Sequence, residues 1–198
     1  DQNLIKDTVV IYTTDHGDMA GGHRTMEKVH NLYEDIVHVP LVVRWDGVVP
    51  AGVTCDDFVN HYLDLGPTIL DIAQLPTPES YQGISMYPRL LGGTVSNGRH
   101  CAIASCHGQQ FGLYSQRMIR DDHYKLVWNL TDVNELYDLQ EDPYELTNLA
   151  VEPSYQKLVF QYQQRLYEEL KALRDPIVDT VWMRNQLLVE GKKLYSRC

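Results

Sequence analysis

No stretch of the 198-residue sequence approaches the roughly 20 consecutive apolar residues that a membrane-crossing helix needs. Basic residues are in short supply: 17 Lys and Arg stand against 27 Asp and Glu, for a formal net charge of −10. That balance argues against nucleic acid or another polyanion as the main partner, because such partners are held by basic surface. A local basic pocket stays compatible with it. Cysteine is scarce. Cys55, Cys101, Cys106 and Cys198 are too thinly spread for a disulfide framework, and they lack the paired spacing of a zinc site. The first residues carry no signal-peptide pattern, which says nothing of secretion if the natural start lies upstream. No internal repeat or low-complexity tract is visible.

What is present is enough for a core: 43% of residues are hydrophobic and 22% charged, so one large domain or two small ones are expected. The apolar run Thr8-Val9-Val10-Ile11-Tyr12 is rich in β-branched residues and reads as a buried strand of a parallel sheet. Directly after it comes Thr13-Thr14-Asp15-His16-Gly17-Asp18. Asp15 and His16 thus fall at the carboxyl end of a strand, where ligands and catalytic groups collect in open α/β sheets. A hard carboxylate beside an imidazole, with glycine allowing the turn, makes half of a divalent-metal site. The same triplet also serves as a plain polar turn, with Asp capping and Gly supplying positive φ. Lys28 follows and offers a cation to an anionic substrate. The adjacent pair Glu34-Asp35 reads as a capping or solvated feature, since neighbouring side chains point in different directions.

The chain changes character near residue 98. Before it, strands over 9–14 and 39–44 alternate with a helix over 64–75, in which Leu65, Ile69, Ile72 and Ala73 share a face and Pro67 sits in the first turn. Residues 76–98, rich in Pro, Gly and Ser, read as a long surface connection. Beyond them come short strand candidates over 101–106, 116–120, 123–128 and 134–139, the pattern of an antiparallel sheet. A helix over 153–173 carries Tyr155, Leu158, Val159, Tyr162, Leu166, Leu170 and Leu173 as one broad stripe, suited to covering a face of that sheet. A partner-binding amphipathic helix is the alternative use of such a stripe. A second helix follows Pro176 and packs back on the body. Asn129-Leu130-Thr131 is a glycosylation sequon, relevant only in a secreted eukaryotic protein.

The segments Tyr12 to Met19, Gly22-His23, Lys28 and Tyr33 to Arg44 together resemble the type I sulfatases of the alkaline-phosphatase-like superfamily. The resemblance continues through Tyr62 to Ala73, Gln82-Gly83-Ile84-Ser85, Arg117 to Arg120, Tyr124 to Val127 and Glu135 to Leu139. It ends in Asp142-Pro143-Tyr144-Glu145-Leu146-Thr147-Asn148-Leu149, so it covers nearly the whole chain in the family's order.

That resemblance implies an α/β fold. Residues 1–98 would form the C-terminal portion of the family's α/β sandwich, and 99–198 a small α+β subdomain with an antiparallel sheet and C-terminal helices. It implies that Asp15 and His16 are metal ligands, with calcium the usual ion and Mg²⁺, Mn²⁺ or Zn²⁺ left open by the histidine. Lys28 matches the lysine that contacts sulfate and offsets charge on the leaving group. His23 and His30 are then candidate substrate contacts, with Arg24 and Asn31 beside His30 toward the organic part of the substrate and His107, Gln109 and Gln110 at the pocket rim. The family's formylglycine nucleophile arises in a Cys/Ser-x-Pro/Ala-x-Arg context, which surrounds none of the four cysteines here. The expected reading is therefore the C-terminal part of a sulfatase, inactive alone and completed by an N-terminal part. Its substrate would be a sulfate ester, with sulfated glycans in the class. Periplasmic, extracellular, lysosomal and cytoplasmic placements all stay open. A phosphonate or phosphate ester hydrolase of the same superfamily, a non-catalytic binding or assembly module, and a metal-free α/β domain are the alternatives.

Overall fold

A computed structural model describes residues 4–28, 30–94, 98–108 and 115–188. In chain order the elements are β1 (Val10–Thr13), α1 (Glu34–Val37), β2 (Leu41–Arg44), α2 (His61–Ile72), α3 (Tyr87–Leu90), β3 (Ala102–His107), β4 (Ser115–Arg120), β5 (Tyr124–Asn129), β6 (Glu135–Asp138), α4 (Gln156–Ala172) and α5 (Val181–Leu187). They fall into two compact units, one of Asp1–Gly17 with His38–His100, the other of Asp18–Val37 with Cys101–Cys198. The division near residue 100 lies close to the change of pattern in the sequence. In addition, residues 18–37 join the second unit, for a reason the second sheet makes plain.

In the first unit β1 pairs with β2 antiparallel, Val10 opposite Arg44 and Tyr12 opposite Val42. The expectation of a buried strand in a parallel sheet is corrected here. β-branched residues favour an extended chain but do not set the direction of its neighbour. Among the described residues β1 has β2 as its only strand neighbour. The alternation of the pleat leaves Val10, Tyr12 and Val42 on the exposed face, Tyr12 at 64%.

α2 starts earlier than its apolar spacing suggests because Asn60 caps it, its side chain accepting from Leu63 N–H at 3.3 Å. Pro67 accordingly lies in the second turn, not the first. A proline there cannot donate to the carbonyl of Leu63. Gly83 packs on that spot: a Cβ on it would stand 1.8 Å from Leu63 O and 3.0 Å from Pro67 Cγ. The buried face of α2 is Asp64, Pro67 and Thr68, while Ile69 is 51% exposed, so the apolar stripe drawn through Ile69 is not the covered one. Asp64 accepts from Asn60 N–H at 2.8 Å and Ile84 N–H at 2.8 Å, and pairs with Arg99 through both oxygens at 2.8 and 3.2 Å. The connection after α2 carries the short helix α3, with Met86 buried at its start.

The second unit is built on the antiparallel sheet β3-β4-β5-β6. Side chains of β4 and β5 are buried on both faces. One face holds Ile119, Leu126, Trp128 and Leu136 against Val159, Tyr162, Leu166 and Leu170 of α4, with Ile177, Val178 and Leu187 behind. The expected cover by α4 is thus present, and α5 adds Leu187 to it, although its Val181 and Trp182 stay exposed. The other face packs Met118 and Val127 against Leu32, with Val37 alongside. This is why residues 18–37 belong to the second unit: they roof the face that α4 leaves open. Asn129 of the sequon is buried, donating through Nδ2 to Val133 O at 2.7 Å and Glu135 at 3.0 Å.

Candidate functional site

β1 ends at Thr13, and the chain turns through Thr14, Asp15, His16 and Gly17. Asp15 Oδ1 accepts the His16 N–H at 3.0 Å, and the Thr14 hydroxyl lies 3.2 Å from the same oxygen. The N–H bond holds the Asp15 carboxyl below the usual carboxylate range, against a smaller opposing push from desolvation and with help from the nearby imidazole. His16 Nδ1 donates to Gly17 O at 2.7 Å, and Nε2 lies 3.5 Å from Asp15 Oδ2. A ligand histidine that donates its other N–H to a main-chain carbonyl is the usual arrangement at metals. The side chains suit half of a divalent site. Among the described residues no group of three or more His, Cys, Asp or Glu gathers to complete one. A hard cation takes roughly 6–8 oxygen donors, so further ligands are needed.

What steadies this turn comes from a distant part of the chain. The carbonyl oxygen of Asp15 receives His61 Nε2 at 3.0 Å and the Tyr62 hydroxyl at 2.9 Å, both from the first turn of α2. Residues 61 and 62 lie before the helix expected over 64–75, and only the fold brings them to Asp15.

The other candidates lie in the second unit, on one segment. Ala20, His23 and Arg24 all hold positive φ, a costly backbone that non-glycine residues keep only where the surroundings enforce it. His23 is enforced twice: its ring stacks on Tyr33, with centroids 3.8 Å apart, and its Nε2 donates to Tyr144 O at 3.0 Å. Lys28 is half-buried, and its carbonyl accepts from the Asn31 amide at 2.9 Å. Its charge is felt by Cys106, whose thiol is pushed up by burial and pulled partly back by Lys28 and Arg117. His30 is half-buried in a turn two residues on. Asp18 is exposed and accepts from Met19 N–H at 3.2 Å. His107 is exposed at the end of β3, while Gln109 and Gln110 lie outside the described residues.

The Glu34-Asp35 pair, read as a capping or solvated feature, does open α1, but Glu34 is not solvated. Its carboxylate lies 3.2 Å from Lys125 Nζ and 3.2 Å from Arg120 Nε, and its own N–H donates to Glu145 at 2.6 Å. Lys125 is fully buried and also meets Glu145 at 2.7 Å. Adjacent residues diverge, as expected, and this is what lets Glu34 turn inward while Asp35 stays exposed. Glu145 comes from the Asp142-Pro143-Tyr144-Glu145 turn, where it holds φ 56°. The Tyr144 carbonyl and the Glu145 carboxylate thereby pin residues 23 and 34, on either side of Lys28.

Among known families, N-sulphoglucosamine sulphohydrolase, C-terminal, matches residues 21–172. The chain belongs to this sulfatase family. Human arylsulfatase K is 33% identical over 175 residues, covering 83% of this chain and 31% of its own. A solved 2-O GAG sulfatase superposes with a TM-score of 0.80 at 28% identity, over 88% of this chain and 38% of the other. The phosphonate monoester hydrolase of Agrobacterium radiobacter superposes at 0.76 with 30% identity, over 85% and 36%. The chain spans about a third of the length of the curated sulfatases it matches. It is the C-terminal region of the type I sulfatase fold, an α/β architecture with a four-stranded antiparallel sheet and closing helices. No described helix is long and apolar enough to cross a membrane.

Proposed function

We propose that this chain is the C-terminal part of a metal-dependent sulfate-ester hydrolase. In it Asp15 and His16 supply two ligands of a divalent cation and Lys28 contacts the sulfuryl group. The observation that carries the proposal is the Asp15–His16 pair, two donors 3.5 Å apart at the end of β1, in a chain of a sulfatase family. When bound, the cation would polarise the ester oxygens. Calcium is the first ion to test, followed by Mg²⁺, Mn²⁺ and Zn²⁺. The Lys28 ammonium would offset the charge that builds on the sulfuryl and leaving oxygens. His23 and His30 would line the organic side of the substrate, His23 from a fixed ring. The remaining ligands and a formylglycine nucleophile are expected from the part of the protein that precedes these residues. A sulfated glycan is the substrate class favoured by the names of the relatives.

The test is Lys28→Ala in the full-length protein with 4-nitrophenyl sulfate. We expect kcat/KM to fall about 10²–10³-fold, the range for loss of one charge-stabilising group. An unchanged kcat/KM would overturn the role of Lys28. A second reading, hydrolysis of phosphonate or phosphate monoesters, draws on the Agrobacterium likeness, because both ester classes present a tetrahedral anion. Turnover of an aryl phosphonate monoester exceeding that of the aryl sulfate would favour it. Failure of the full-length protein on both substrates would favour a binding or assembly module.

A further inference from the structure

The peptide joining Asp15 to His16 is tied at both ends. Its N–H donates to Asp15 Oδ1 at 3.0 Å, and its carbonyl takes His61 Nε2 at 3.0 Å and the Tyr62 hydroxyl at 2.9 Å. A carbonyl oxygen has two lone pairs and accepts only, so this one is fully engaged and His61 must carry a proton on Nε2. We infer that His61 and Tyr62 are positioning residues for the candidate metal pair: they fix this peptide so that the Asp15 and His16 side chains face the ion and the Asp15 main-chain oxygen does not. The inference rests on the reading of Asp15 and His16 as ligands.

Three observations support it. Rotating the 15–16 peptide would break all three bonds at once, so the backbone from which both side chains leave is held by them, while the Gly17 carbonyl holds the His16 ring. The two donors are themselves held. They open α2, whose start is locked by the Asn60 cap, by Asp64 accepting from Asn60 N–H, and by Arg99 on both oxygens of Asp64. Neither donor is a core residue: Tyr62 is 70% exposed and His61 half-buried, the two rings touching with centroids 4.3 Å apart. An exposed tyrosine whose hydroxyl reaches a carbonyl 47 residues away adds orientation more than stability.

The experiment is calorimetric titration of metal-free full-length protein with calcium chloride and, in parallel, manganese chloride. Groups that orient metal ligands typically change affinity about 10–100-fold when removed, so His61→Ala/Tyr62→Phe should weaken Kd by that much. The unfolding temperature of the metal-free protein should move by less than about 2 °C, as for exposed sites. His61→Gln, whose amide donates to the same carbonyl, should recover most of the affinity. Tyr62→Phe alone deletes one exposed oxygen and makes the same comparison if the double variant does not fold. Asp15→Asn separates the two ideas. If Asp15→Asn loses the metal while the His61 and Tyr62 variants bind like the unaltered protein, only the positioning role falls. If Asp15→Asn binds normally, or the unaltered protein takes up neither ion, the ligand reading falls and the positioning role with it.

Discussion

At the scale of single residues, the second unit hinges on Lys125. It is 0% exposed and sits between Glu34 and Glu145 at 3.2 and 2.7 Å. Burial pushes the Glu145 carboxyl above its ordinary range, and the Lys125 ammonium pulls it partly back. Removing one partner of a buried charge cluster leaves the rest uncompensated, so Lys125→Met should cost about 3–5 kcal/mol in urea unfolding. A loss under about 1 kcal/mol would show that water already reaches the cluster. None of this was legible in the sequence. Lys125 read as a sheet residue and Glu34 as part of a capping or solvated pair, because a local pattern does not reveal a bond made to a residue 91 or 111 positions away. The turn that carries Asp15 and His16 was legible for the opposite reason. Strand and turn are contiguous, and glycine marks the bend.

At the scale of elements, the turn between β4 and β5 is fastened to α4 through Asp121. Its carboxylate accepts from Tyr162, Arg165 and the N–H groups of His123 and Tyr124. Burial pushes the Asp121 carboxyl up, but these donors outweigh it and hold it at about 2. A depressed carboxylate contributes stability that is fully present above its unfolded pKa, about 3.9, and is lost as pH falls toward the folded value. The urea midpoint should therefore drop between about pH 4 and pH 2, and Asp121→Asn should flatten that part of the curve. An equal acid slope in the variant would assign the loss to other carboxylates. The four strands and α4 were readable because period-2 and period-3.6 patterns are set by the faces they bury. β1 and β2 were readable as strands but not as antiparallel neighbours, since composition carries no direction. α2 was displaced by three residues because Asn60, not the first apolar residue, sets its start. Gly83 shows the same limit: its need for no Cβ comes from the Leu63 carbonyl beneath it, 20 residues earlier in the chain.

At the scale of the molecule, the chain corresponds to about a third of the sulfatases it matches. We expect residues 1–198 alone to show no turnover of 4-nitrophenyl sulfate above background. Metal-dependent turnover lost in Lys28→Ala would refute that. The two units are also interleaved along the chain, because residues 18–37 lie between the two segments of the first unit and complete the second. This has a consequence for how the protein is made. The bond from Glu34 N–H to Glu145 closes over 111 residues. At ribosomal rates of roughly 5–20 residues per second, Glu145 is synthesised on the order of 6–22 s after Glu34. Through that interval the strip bearing Leu32, Ile36 and Lys28 waits for the sheet it will roof. Nascent chains of this protein should therefore pass through a long window in which chaperones find that strip uncovered.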